Sequence, residues 1–193
     1  MPLSFPVRLA LPFALAALSW ATPVQADPQL EKGLAGAMRG CEEWILNPLS
    51  WIDGDAPFLS AVGLGSSMHP VTRATVHDMQ LPPKPMRAGN RYWRIDSTPT
   101  AGFMLIVSDQ LPMCHVTGGG STDLQPTIET FLASKNFTSQ WKPVEERVSG
   151  DMRSTLFRHW IHGAFSLVVS RANSAGLRLD RVQLIITGSY HTE

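Results

Sequence analysis

GFMLIVS, residues 102–108, is apolar at nearly every position. A run of that length and character is expected of a central strand covered on both faces. MCHVT, residues 113–117, follows after Asp109-Gln110-Leu111-Pro112 and reads as the next strand. Successive strand side chains point to opposite faces. Cys114 and Val116 therefore share one face, and Met113, His115 and Thr117 the other. On the N-terminal side, RYWRIDS (91–97) alternates, with Trp93 and Ile95 opposed to Arg94 and Asp96. Pro99 and Gly102 mark the turn between these two strands. Short connections between consecutive strands imply antiparallel pairing.

The same reading predicts strands near 141–148, 152–161, 164–171 and 181–190. Ser149-Gly150-Asp151 and His162-Gly163 read as hairpin turns, the second of the favoured two-residue length. Residues 64–90 are rich in Gly, Pro and Ser, and a short strand is expected within them near 74–81. Helices flank this array. Asp27-Pro28 opens one, with Asp as the cap and Pro in the first turn. Leu30, Leu34, Met38, Cys41 and Ile45 recur on one face of it, and Asn47-Pro48 ends it. A short second helix is expected over 55–62, capped by Asp55 and closed by Gly63. Thr122-x-x-Gln125 has capping-box spacing and announces a third, with Leu124, Ile128, Phe131 and Leu132 on its apolar face.

This order predicts an α+β fold. An antiparallel sheet of about six to seven strands carries two or three helices packed on it, in two layers. No repeat and no low-complexity tract stands out in the sequence.

Residues 1–26 read as a cleavable secretory signal. Arg8 supplies the basic start, LALPFALAALSWA (9–21) the uncharged middle, and TPVQA the small-residue exit at Ala26. The apolar run is shorter than the ~20 residues a membrane span needs. The expected working protein is a single domain, 27–193, located in the periplasm or outside the cell, with no stable membrane insertion after cleavage. Its formal charge is close to zero and no long charge run occurs, so nucleic acid is not an expected partner. An oxidising compartment favours pairing of the two cysteines, Cys41 and Cys114. Closing a loop of that size contributes roughly 4 kcal/mol in the chain-entropy account.

The most distinctive segment is CHVTGGGSTD, residues 114–123. Read as strand, triple glycine and helix start, it offers backbone N–H groups at a helix N-terminus. Gly118, Gly119, Gly120 and Thr122 are accordingly the candidate ligand contacts. The segment lacks the lysine and spacing of a P-loop and the full dinucleotide fingerprint. An ordinary strand-to-helix turn with a common cap is the favoured explanation, and Asp123 opposes an anion there. His115 and Ser121 are the candidate catalytic residues of a small hydrolase, but there is no G-x-S-x-G elbow. That reading requires an exposed His115 within hydrogen-bond reach of Ser121, Ser108 or a carboxylate. His69, His77, His115, His159, His162 and His191 show no metal-ligand spacing, so no metal is expected, and no cofactor is implied. Arg153, Arg158, Arg171, Arg178 and Arg181 read as a solvated sheet face. The leading expectation is an exported binding or accessory module, with a small ligand or an envelope protein as partner. The hydrolase is the alternative.

Overall fold

A computed structural model describes residues 26–173 and 182–188, apart from the side chain of Gln183. The expected leader, 1–26, lies outside the described residues except for Ala26. Four helices occur among the described residues: α1 (Pro28–Leu46), α2 (Ala56–Val62), α3 (Gln125–Ala133) and α4 (Lys135–Thr138). The strands are β1 (Met68–Val71), β2 (Asn90–Ile95), β3 (Ala101–Ser108), β4 (Met113–Gly120), β5 (Trp141–Ser149), β6 (Met152–His159), β7 (Ser166–Ala172) and β8 (Gln183–Thr187). All eight strands form one antiparallel sheet in the order β1-β2-β3-β4-β8-β7-β6-β5. The expected α+β class is correct, with one strand more than anticipated. Among the described residues no helix is long and apolar enough to cross a membrane.

The helices lie on one face of the sheet. Asp27 caps α1 by accepting from the N–H groups of Gln29 and Leu30. The buried side of α1 is wider than the expected apolar stripe, because Gly33, Gly36, Ala37, Gly40 and Trp44 join it. Glycine costs about 1 kcal/mol in a helix interior relative to alanine. Here it permits close approach: a Cβ on Gly40 would sit 2.6 Å from Val62 Cγ2, and one on Gly36 2.7 Å from Leu64 Cγ. Arg39 closes the contact by donating to the carbonyls of Ala61 and Val62 at the end of α2. Such a cation at a helix C-terminus satisfies carbonyls that otherwise lack partners. Beneath α1, Leu105, Val107, Val116, Leu184 and Ile186 form the floor of the main core. Cys41 and Cys114 are joined by a disulfide, which ties α1 to β4.

Several local expectations fail for physical reasons. Residues 74–81 form no strand. They carry two 3-10 turns, Arg73–Thr75 and Asp78–Gln80, and the extra strand lies just before them at Met68–Val71. The capping box at Thr122 is not made. Thr122 Oγ1 instead bonds Thr100 Oγ1 at 2.8 Å, and α3 starts at Gln125, whose N–H is met by Asp123. His162-Gly163 is not a two-residue hairpin. Phe165 is still paired with His159 through the backbone, which leaves a longer loop. Gly150-Asp151 is one, because Ser149 faces Met152 and Gly150 takes φ of 59°.

A repeat unseen in the sequence is present in the topology. Two helices and a four-stranded meander occur twice, and the two meanders meet at β4 and β8. The register at that junction is symmetric about the His115–Ile185 pair: Met113 faces Thr187, and Thr117 faces Gln183. Equivalent pairings recur outward. Tyr92 faces Ile106 as Leu156 faces Val168, and Pro70 faces Trp93 as Pro143 faces Phe157. Residues matched this way are also alike in sequence: HPV (69–71) and KPV (142–144), FMLIVS (103–108) and FSLVVS (165–170), VTG (116–118) and ITG (186–188).

Reduction of the disulfide, or the double substitution Cys41→Ala/Cys114→Ala, should lower unfolding stability by about 2–4 kcal/mol in a denaturant titration. A reduced chain as stable as the oxidised one would contradict a bridging role.

Candidate functional site

The sheet's second face, opposite the helices, is treated differently in its two halves. Over the first half, residues 72–89 double back between β1 and β2. Val76 and Leu81 from this segment pack on Met104 and Ile106, with Val71 and Tyr92 beside them. The segment is held by its own bonds: Arg73 to Asp78, the His77 ring accepting from Met79 N–H, and Arg87 Nε donating to Pro82 O. In the second half the equivalent connection is only the Gly150-Asp151 turn. No counterpart of residues 72–89 covers β5, β6 and β7 among the described residues.

An open groove of about 500 Å³ results. Its floor is Met152, Leu156 and Val168, and Ser154, Glu145, Arg147 and Ser149 line it as well. Leu156 and Val168 are the register equivalents of Tyr92 and Ile106. Ser154 and Ser170 hydroxyls bond each other at 2.8 Å, and Glu145 pairs with Arg147. The groove is thus apolar at its base and neutralised at its rim. Concave apolar surfaces with a few polar groups are the usual form of binding sites.

A second hollow, about 210 Å³, is polar and lies at the end of β2, β3 and β4 where the turn 96–100 joins β2 to β3. Thr75, Gln80, Arg94, Asp96, Thr98 and Thr100 line it, with Gly102, Gly119 and Gly120. Arg94 is already paired with Asp96 at 3.1 Å, and His69 approaches the same carboxylate at 3.5 Å. Two of the expected ligand contacts, Gly119 and Gly120, therefore reach a cavity, but not as a helix N-terminus. All three glycines belong to β4 and face Ala101, Gly102 and Phe103. Gly118 N–H donates to Val182 O, and Ser121 N–H to Thr100 O. Gly118 serves packing, since a Cβ there would sit 2.1 Å from Leu124 Cδ1.

The hydrolase constellation is not assembled. His115 is wholly buried, and neither ring nitrogen has a hydrogen-bond partner among the described residues. Ser121 is exposed. Ser108 is committed to its turn: its hydroxyl donates to Ala88 O and accepts from the N–H groups of Gln110 and Leu111. The sequence places His115 on the correct face but gives no sign that residues 72–89 cover that face. His159 is likewise structural. Its ring accepts from the N–H groups of Ile161 and His162 and stands edge-on to Trp141. Burial, then His162, lower its pKa. Burial pushes the Glu42 carboxyl up, against opposing pulls from the Trp141 indole and Arg39. Trp160 is largely exposed and lies under the Lys142 ammonium.

The arginines do not share one solvated face. Arg171 is buried on the helix side, where it bonds Glu129 of α3 at 2.6 Å and Thr155 Oγ1 at 3.0 Å. Arg153 lies beside it toward Glu146, whereas Arg158 is exposed on the opposite face. Arg178 and Arg181 lie outside the described residues, as does His191. Among the described residues no three His, Cys, Asp or Glu side chains converge as a metal site would require. No family model matches the chain, and no curated protein or solved structure is significantly similar to it.

Burial alone lowers the His115 pKa from its ordinary 6.5 to about 4. The unfolded chain takes up a proton near the ordinary value and the folded one resists it. Stability should therefore be full above about pH 6.5 and fall by about 3 kcal/mol as the pH drops to about 4. His115→Ile, the residue at the equivalent position 185, should remove that component when wild type and variant are compared by denaturant titration from pH 7 to 4. Parallel pH profiles would show that His115 is not the buried neutral group described.

Proposed function

We propose that this chain is an exported binding or accessory module that engages its partner through the open groove over β5, β6 and β7. The observation that carries the reading is the unequal covering of two equivalent sheet halves. Where residues 72–89 cover the first half, Ile106 is fully buried and Met104 nearly so. The matching surface around Leu156 and Val168 is only half-buried. Leaving apolar surface in water forgoes about 25 cal/mol per Å². An accessible apolar groove of this kind is a reasonable signature of recognition.

Export accounts for the disulfide. Bridges persist in oxidising compartments and are rare where thiols are kept reduced. The leader-like sequence of residues 1–26 supports the same assignment. The partner on this reading is a small apolar ligand or a protein of the envelope or cell exterior. Nucleic acid is not proposed, because the chain has no basic excess.

A neutral environment-sensitive dye such as Nile red tests the groove. The folded wild type should enhance its fluorescence at neutral pH. The double substitution Leu156→Thr/Val168→Thr keeps strand-forming side chains while removing apolar floor, and should cut the enhancement at least five-fold with an unchanged far-ultraviolet spectrum. Equal enhancement by both proteins, or none by the wild type, would reject the groove as the binding surface.

A further inference from the structure

The internal repeat indicates what kind of ligand the groove takes. We propose that it receives a peptide segment of a partner protein bearing two aliphatic side chains, seated as residues 72–89 seat themselves on the first half. The inference rests on reading the groove as a binding surface, and it names the class of partner.

The covering segment is the template. It contains no strand and only short 3-10 turns, and it makes its apolar contact through two side chains. Val76 and Leu81 are 3% and 5% exposed. Short 3-10 turns, Arg73–Thr75 before Val76 and Asp78–Gln80 between the two anchors, satisfy part of the segment's own backbone. Thr117 Oγ1 reaches Gln80 O at 3.4 Å, a weak tie from the sheet to that backbone. The second half repeats the floor with smaller side chains. Leu156 stands where Tyr92 does, Val168 where Ile106 does, and Ser166 where Met104 does. Smaller floor residues leave depth for a slightly bulkier anchor.

Two other occupants fit less well. Among its described residues, a second copy of the chain has no free segment of this type to donate, because its own Val76 and Leu81 are already buried. Nor are the sheet edges inviting for strand addition. β1 is short and contains Pro70, while β5 carries Pro143 and a register shift between Pro143 and Glu145. Proline and bulges blunt edge pairing. A lipid chain favours an enclosed cavity, whereas this groove is an open trough along the strands. The Glu145–Arg147 pair places both charges at the rim. Selection of a strongly charged partner is therefore not expected, and binding should depend only weakly on salt.

The test is selection of a displayed library of random 18-residue peptides on the oxidised, folded protein, with counter-selection on Leu156→Thr/Val168→Thr. Enriched peptides should carry two aliphatic residues spaced about as Val76 and Leu81 are. Their affinity for the double variant should fall at least ten-fold and should change less than three-fold between low and moderate salt. Nile red binding without any groove-dependent peptide would overturn the peptide inference while leaving the groove as a small-molecule site. A concentration-dependent dimer abolished by the same substitutions would overturn it in favour of a second copy. Absence of both dye and peptide binding by the wild type would remove the binding reading itself.

Discussion

The pairing of β4 with β8 across His115 and Ile185 is the constraint on which the rest of the molecule depends. It joins two four-stranded meanders into one sheet and places both central strands under the helices. Cys114, next to that pair, anchors α1 to the junction. The helix-side core then runs without a break from Trp93 to Trp141. The junction also has a cost. An imidazole without partners among the described residues is buried where the equivalent position holds an isoleucine, and an unsatisfied buried polar group costs about 1–3 kcal/mol. Its depressed pKa is a consequence of the same burial, so His115 is a structural residue of the seam.

From the symmetric junction follows an asymmetric surface. Both halves turn a partly apolar face away from the helices. The first covers that face with residues 72–89, and the second connects β5 to β6 through a tight turn and leaves it open among the described residues. One half is thus self-sealed, while the other offers a floor whose proposed covering is peptide-like. The polar hollow at Gly119 and Gly120 lies in the sealed half, and its Arg94 charge is already met by Asp96. It is a weaker place for a ligand than the groove.

Much of the scaffold is legible in the residues. The apolar run 102–108, the Asp27-Pro28 cap and the facing of Cys114 carry strong local signals, and long-range packing agrees with them. β1 is hidden because it is four residues long and contains a proline, which argues against a strand until an edge position is known. The strand expected over 74–81 fails because Val76 and Leu81, five residues apart, both turn inward as anchors of a folded-back segment, which a strand's two-residue alternation does not allow. Thr122 has cap spacing, yet Thr100 from the turn before β3 takes its hydroxyl. The repeat escapes a fixed-period search because residues 72–89 and the unequal hairpins shift its matching pieces by different distances. The groove is legible only once β6 and β7 are paired, since Leu156 and Val168 are ordinary strand residues in isolation.

Side-chain hydroxyl-radical footprinting, read by mass spectrometry on the free monomer, tests the unequal covering of the two halves most directly. Met152 and Leu156 should be oxidised readily, while Met104 and Ile106, on the sealed half of the same face, should be protected at least several-fold more. Equal protection of the two pairs would contradict the account, because it would mean that the second half of the sheet is covered as the first is.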